Sequence, residues 1–325
     1  MPGRCLAVAF SALCALAPGA AAQHWPTRPL TLVVPYAAGG SVDGNGRTMA
    51  QRMGEILGQQ VVIENVGGAG GMTGSLRVSR APPDGYQFLI GNLGSHGVNQ
   101  TLYKRPLYNS VTDFTPVGLV NQGLFVLLVR NDFPAARLAE FAAYAKANES
   151  RLQFGSGGAG STSHMVCVLL GMALGITTTH IPYRGTGPAL QDLVGGRTDY
   201  QCEPLPTALP LIQGNAAKPI ALLARKRSDV VPQIPTAQEQ GLTDFEVLSW
   251  NALFLPKGTP DPIVRRLNAA MSQALDTPWV RERLEKLGLE VPEPAQRTPE
   301  YLAAFLESEI KKWAAPIKAS GVSVE

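Results

Sequence analysis

Leu30-Thr31-Leu32-Val33-Val34-Pro35-Tyr36-Ala37-Ala38-Gly39-Gly40-Ser41-Val42-Asp43 reads as a strand, a turn and the start of a helix in one short stretch. The apolar run from Leu30 to Val34 is ended by Pro35, which lacks a backbone donor. Gly39 and Gly40 let the chain turn, and Ser41 or Asp43 can cap a helix in which Val42, Met49, Met53, Ile56 and Leu57 keep a rough helical period up to Gly58. A turn without side chains leaves backbone N–H groups free to point at one guest, with the positive end of the helix dipole behind them. The same grammar returns at Gly155-Ser156-Gly157-Gly158-Ala159-Gly160-Ser161-Thr162. Two such anion cradles, far apart in sequence, suggest two domains gripping one small acid.

Outward from these turns, strands are expected at Val61 to Glu64, Gln87 to Ile90, Phe125 to Val129, Leu152 to Phe154, His180 to Tyr183, Tyr200 to Glu203 and Ile220 to Leu223. Helical patterns separate them, at Leu138 to Ala147, Ser161 to Leu174, Gly187 to Gly195 and Leu205 to Gly214. Strands alternating with helices predict an α/β fold of parallel, doubly wound sheets. After Phe245-Glu246-Val247-Leu248-Ser249-Trp250 come three helices, Pro262 to Leu275, Pro278 to Leu287 and Pro299 to Lys318, with proline at or near each start.

The first residues read as an export signal. Arg4 supplies the positive charge, Cys5 to Ala17 is an apolar run too short to span a bilayer, and Ala20-Ala21-Ala22 fits the cleavage pattern. Removing residues 1–22 from 325 leaves 303, room for two packed lobes. The mature chain carries 27 basic residues once Arg4 is gone, against 25 acidic, with no basic block, so nucleic acid is not an expected partner. Cys5 and Cys14 leave with the signal. Cys167 and Cys202 remain in an oxidising compartment, where a disulfide between them is expected and two buried free cysteines are the alternative.

Familiar reaction motifs fail. Gly155-Ser156-Gly157-Gly158-Ala159-Gly160 matches the dinucleotide fingerprint, but no acidic residue follows at the ribose-binding distance. Gly39-Gly40-Ser41-Val42-Asp43 begins like a nucleophile elbow and lacks its second glycine, while Leu93-Gly94-Ser95-His96-Gly97 lacks the first. The histidines His24, His96, His164 and His180 lie in separate segments with no metal-ligand spacing, so neither metal nor cofactor is expected. What remains is a set of small, hydroxylic loops at strand ends: Ser41, Asn92 to His96, Ser156 to His164, and Tyr183 to Thr186. In open α/β sheets, ligands lie beyond the carboxyl ends of the strands, where such loops gather. Plain structural roles also fit these residues: Ser41 as a cap, Tyr36, His96 and His164 as core, Arg184 as a surface ion-pair partner.

The whole series resembles the substrate-binding receptors of tripartite tricarboxylate transporters, the Bug-type periplasmic binding proteins. The resemblance runs from Trp25-Pro26-Thr27-Arg28-Pro29-Leu30 through Gly39-Gly40-Ser41-Val42-Asp43, Glu64-Asn65, Gly68-Ala69-Gly70-Gly71 and Pro83-Asp84-Gly85-Tyr86. It continues through Asn99 to Tyr103, Asp113-Phe114, His180-Ile181-Pro182-Tyr183-Arg184-Gly185, Asp192-Leu193-Val194-Gly195-Gly196 and Pro256-Lys257-Gly258-Thr259-Pro260.

The resemblance implies a type II periplasmic-binding-protein fold, two doubly wound α/β lobes with a ligand cleft between them. Lobe 1 is expected at residues 24–122 plus 251–325, and lobe 2 at 123–250. Carried over by position, the ligand-binding residues are Tyr36, Gly39, Gly40, Ser41, Val42, Ser95 and His96 from the first lobe, with Asn92 in the same loop. From the second lobe they are Ser156, Gly157, Ala159, Ser161, Thr162 and His164, with Tyr183 and Glu203 at the rim. Many receptors of this kind carry lysine after that tyrosine and aspartate where Glu203 stands, so Arg184 and Glu203 mark a departure. The implied function is capture in the periplasm of a small carboxylate, namely a di- or tricarboxylate, an acidic amino acid or an aromatic acid. A monomer then delivers it to membrane permease subunits without chemical change. The alternatives are a secreted hydrolase or isomerase that uses His96 or His164 as a base, and a receptor that reports to a sensor kinase.

Overall fold

The computed structural model describes residues 25–325, and the expected signal peptide at residues 1–22 lies outside them. The first unit runs β1 (Leu30–Val34), α1 (Ser41–Leu57), β2 (Val61–Asn65), α2 (Met72–Ser79) and β3 (Gln87–Asn92). A π-helical turn, Leu93–Val98, and α3 (Asn99–Leu102) lead into β4 (Phe114–Arg130), a strand of 17 residues. The second unit follows as α4 (Leu138–Ala147), β5 (Gln153–Ser156), α5 (Thr162–Leu174), β6 (Thr179–Pro182), α6 (Thr186–Val194), β7 (Tyr200–Pro204), α7 (Leu205–Gln213) and β8 (Ala217–Leu222). The chain returns through β9 (Leu248–Pro256) to α8 (Asp261–Leu275), α9 (Pro278–Lys286), β10 (Leu289–Glu290) and α10 (Pro299–Ala319).

The main sheet path is β2-β1-β3-β9-β4-β7-β5-β6, with β8 and β10 also paired to β4. The outer pairs β1·β2, β1·β3, β5·β6 and β5·β7 are parallel, as the alternating pattern predicts. The central pairs β3·β9, β4·β9, β4·β7 and β4·β8 are antiparallel, which adds antiparallel pairing to the parallel sheets expected. The reason is β4 itself. Its first half pairs with β9 and its second half with β7 and β8, so one strand serves both lobes. The expected lobe boundary between residues 122 and 123 lies in β4 just after the pairing register slips, between Leu119 and Asn121.

Apolar faces close on these sheets in three clusters. Leu30, Leu32 and Val34 of β1 and Phe88 and Ile90 of β3 pack with Met49 and Met53 of α1 and with Leu267, Met271 and Leu275 of α8. The four-residue spacing on α8 is the stripe visible in the sequence. A larger cluster carries Val33, Leu89, Phe114, Leu127, Phe154 and Tyr200 against α5 and α10, so it runs under both lobes. A third joins Val126 and Leu128 to α6 and α7. Burying each of these large side chains is worth roughly 1.5–3 kcal/mol, which holds the strand ends and their loops in place.

Candidate ligand-binding cleft

The loops after β1 and β3 meet the loops after β5, β6 and β7. Between them lies a cavity of about 40 Å³. Since a water needs about 10–15 Å³ on this measure, the space suits a small polar guest. Of the expected residues, Tyr36, Gly40, Ser41, Val42, Asn92, Gly157, Ser161 and Thr162 line it. Sequence reasoning did not assign Phe125, Ser163, Thr186, Pro204, Ser249, Trp250 and Asn251, which complete the wall. Ser163 and Thr186 stood in the right loops. Trp250 and Asn251 come from β9, to which the sequence analysis assigns no strand, so nothing marked their direction.

Among the described residues, no lysine, arginine or histidine lines this cavity. Positive potential comes from helix ends instead. Gly40 is the N-cap of α1, extended at φ −87°, and no side chain caps the turn. Ser161 caps α5, its hydroxyl accepting the N–H of His164 at 3.3 Å. Thr186 opens α6 after an uncapped Gly185, and Pro204 precedes α7. Residues at four helix starts therefore line one hollow. First-turn N–H groups have no acceptor within their own helix, and together with the dipole they make an anion site.

The α1 turn is fixed by Asp43. Its carboxylate accepts the Gly39 N–H at 3.0 Å, Arg47 Nε at 3.0 Å and Asn65 Nδ2 at 2.9 Å. Burial opposes the charge, but the Arg47, Gly39 and Asn65 hydrogen bonds outweigh it and hold the carboxyl below its ordinary range. Gly39 is thus a turn residue at φ +86° whose N–H is already engaged, and it does not line the cavity. Asn92 is fixed from the other side, its Oδ1 accepting Tyr36 Oη at 3.0 Å and Ser95 N at 3.0 Å. This leaves the Nδ2 donor as the amide's unspent end. Burial pushes the Tyr36 phenol well up from its ordinary value, so it serves as a neutral donor.

Several expected residues stand behind the wall. Ser95 closes a capping box with Asn92, and its Oγ lies 2.9 Å from His96 Nδ1. His96 is fully buried, stacked on Phe254 at 4.1 Å, and its pKa is depressed to about 3 by burial. Ser156 Oγ meets His180 Nε2 at 2.6 Å, and His164 Nδ1 accepts the Gly160 N–H at 3.2 Å. The two imidazoles stack at 4.0 Å and border a separate cavity of about 430 Å³. Burial lowers both, His164 to about 4 and His180 to about 3. Ala159 uses its carbonyl to receive Tyr103 Oη at 2.9 Å, and Tyr183 Oη donates to Asp192 at 2.6 Å. None of these groups lines the cleft, which differs from their expected placement: Ser95, His96, Ser156 and His164 are buried behind it, while Ala159 and Tyr183 are half-buried.

Glu203 is not at a rim. It is fully buried beneath Thr186 and Pro204, with Gln201 Nε2 2.5 Å away and Thr207 Oγ1 also donating. The cysteines depart from expectation too. Cys167 and Cys202 are buried and free, the Cys167 sulfur accepting the backbone N–H of Cys202 at 3.0 Å in place of a disulfide. Among the described residues, no cluster of three or more metal-ligating side chains occurs, and no helix is long and apolar enough to cross a membrane.

The two lobes touch directly around the cavity. Ala37 N donates to Arg184 O at 2.9 Å, and Gly94 N to Thr162 Oγ1 at 2.8 Å. Gly70, at φ +59°, is pressed so close to the second glycine turn that a Cβ there would lie 2.3 Å from Ala159 O. Only glycine fits this seam.

Comparison with known proteins agrees with this architecture. The chain is similar to MatC from Rhodopseudomonas palustris, solved with bound malate, with a TM-score of 0.88 and 43% identity over 90% of this chain and 100% of that chain. It is also similar to the periplasmic binding protein BugD, with a TM-score of 0.89 and 38% identity over 93% of this chain and 100% of that one. An R. palustris protein solved with adipate shares a TM-score of 0.88 and 33% identity over 92% of this chain and 99% of that chain. The model of the tripartite tricarboxylate transporter family receptor, TctC, matches residues 46–322. The chain belongs to the tripartite tricarboxylate transporter receptor family, as a solute-binding protein of the Bug type.

Proposed function

We propose that this receptor captures a small carboxylate of the size of malate or adipate in the periplasm and delivers it, chemically unchanged, to membrane permease subunits. One observation carries this reading: four helix starts converge on a cavity with no basic side chain. Backbone donors recognise a carboxylate by its charge and geometry and leave the remainder of the guest to the side walls. Charge-assisted hydrogen bonds contribute roughly 1.5–3 kcal/mol each. Several together reach the roughly 8 kcal/mol of micromolar binding without an arginine.

Lobe 1 is assigned to residues 24–122 plus 251–325 and lobe 2 to 123–250, moving about the crossing strands β4 and β9 as a monomer. The guest touches both lobes only when they are shut, so its differential affinity drives closure. His96 and His164 do not line the cleft, which argues against a histidine base and for a receptor over an enzyme.

A thermal-shift screen against L-malate, succinate, adipate, citrate, L-glutamate and benzoate tests the reading, with the ligand recovered and weighed by mass spectrometry. At least one acid is expected to raise Tm and to return unaltered. Absence of any shift, or turnover of a stabilising acid, rejects it.

A further inference from the structure

Glu203 is a carboxyl group that anion recognition does not need. It has no exposure, and the residue that follows it, Pro204, lines the cavity. Thr186 lines the cavity, and its side chain is among the groups that favour the charged form of Glu203. The elements around it supply no counter-ion. On β7 the neighbours are Gln201 and Cys202, on β4 the paired residue is Val126, on α7 it is Thr207 and on α6 Thr186. Cys202 is the titratable neighbour, and burial holds its thiol protonated.

Two negative charges would therefore share one set of positive helix ends. Glu203 sits at the starts of α6 and α7, which also face the cavity that receives the anion. Like charges at a common low-dielectric site are not ionised together. The surroundings also accommodate a neutral carboxyl. Gln201 donates through Nε2 to Glu203, and its Oε1 is buried without a partner. Turning that amide over presents the carbonyl to a carboxyl O–H and moves the unpaired end from Oε1 to Nε2, so both protonation states of Glu203 find a partner in Gln201.

Building on the carboxylate reading, we propose that Glu203 takes up one proton from solvent when the anion binds, so that this receptor captures an acid together with a proton. Burial already raises Glu203 in the unliganded protein to about 7, against an ordinary value of 4.5, so the group straddles neutral pH before the guest arrives. The guest's charge raises it further. Binding is then strongest where Glu203 is already neutral, and weakens as pH rises because a proton must be drawn from a more dilute supply.

The test is isothermal titration with whichever of L-malate, succinate and adipate stabilises the protein most, in PIPES, HEPES and Tris at pH 7.5 and again at pH 8.5. These acids are fully ionised there, so buffer-dependent heat reports protons taken up by the protein. The wild type is expected to take up a substantial fraction of one proton and to lose affinity toward about tenfold per pH unit above pH 7.5. Glu203→Gln, which is neutral at every pH, is expected to bind with buffer-independent heat and a flat pH profile. Buffer-independent heat in the wild type overturns the proposal, and so does undiminished uptake in Glu203→Gln. Should that variant fail to fold, Thr186→Val replaces it: loss of the hydroxyl link is expected to alter the pH profile, and an unchanged profile counts against the proposal. If carboxylates bind without proton exchange, only this inference falls. If none of the three binds, the carboxylate reading falls with it.

Discussion

Gly94 donates its backbone N–H to the hydroxyl oxygen of Thr162 at 2.8 Å, joining the turn after β3 to the first residue of α5. A Cβ on Gly94 would lie 2.6 Å from the Thr162 nitrogen, closer than packed atoms allow. In the proposed hinge reading, the contact joins the two lobes, so opening them relieves the strain. Gly94→Ala is therefore expected to leave the unliganded Tm nearly unchanged and to weaken ligand binding at least about tenfold, near 1.4 kcal/mol. Thr162→Val removes the acceptor alone and is expected to cost about 1 kcal/mol, roughly fivefold in Kd. Calorimetric titration of both variants with the stabilising acid checks this, and equal affinity in all three proteins contradicts it.

Gly40 and Gly158 are both cradle glycines, yet they are expected to respond differently. Gly40 has an ordinary φ of −87°, and its missing Cβ would meet Thr186 Oγ1 at 3.1 Å. Gly40→Val is expected to abolish measurable binding with little change in Tm. Gly158 sits at φ +115°, and a Cβ there would lie 2.8 Å from Tyr183 O. Gly158→Val is expected to cost stability as well, about 1–3 kcal/mol from the strained backbone. Paired thermal melts and titrations separate the two, and parallel losses in both would be the contrary result.

Acidification is expected to act on stability through groups of opposite sign: the buried histidines His96, His164 and His180 on one side and Glu203 on the other. The fully buried His96 has a folded pKa near 3, below the unfolded 6.5, so the unfolded chain binds more protons between those values. Its contribution to stability is full above pH 6.5 and falls as pH drops toward 3, by roughly 3 kcal/mol at pH 4. Glu203 has the opposite sign. Raised to about 7 from 4.5, it favours the folded state most below pH 4.5 and loses that advantage as pH rises through 7. His96→Phe should reduce the drop in Tm between pH 6.5 and pH 4, the remainder coming from His164 and His180. Glu203→Gln should raise Tm at pH 8 relative to the wild type and narrow that gain toward pH 4.5. Melts across this range check both slopes.

Neither thiol is expected to react in the folded protein. Burial, with Cys167 alongside, pushes the Cys202 thiol well above its ordinary value, and both residues are almost completely inaccessible. Intact mass should be the same before and after reduction. Alkylation should label no cysteine until denaturant is added, when two labels appear on the mature chain. A two-proton gain on reduction would restore the disulfide.

The legible parts of the sequence were those with a local cause. β1 was read to the residue because Leu30 to Val34 is apolar and Pro35 stops it, and α4 likewise from its apolar spacing. Helices α8, α9 and α10 were found to within about a residue from their opening prolines. What local pattern did not show was antiparallel pairing at the centre, since the direction of β4 and β9 depends on partners far away in the chain. The cleft divided the same way. Tyr36, Gly40, Ser41, Val42 and the start of α5 follow from turn chemistry. Trp250 and Asn251 reach the cavity only because β9 crosses beneath it, and His164 is turned away by the first turn of the helix that presents Thr162.

The seventeen-residue β4 has a thermodynamic consequence. A single uninterrupted strand contributes rungs to both halves of the sheet, and one apolar cluster runs from Val33 through Leu127 to Phe154 beneath them. Neither half retains its own complement of buried surface once the other has melted. Calorimetry of the unliganded protein should therefore record one heat-absorption peak, with equal van't Hoff and calorimetric enthalpies, and a core truncation in either half should shift that same peak. The molecule would open as two bodies and denature as one.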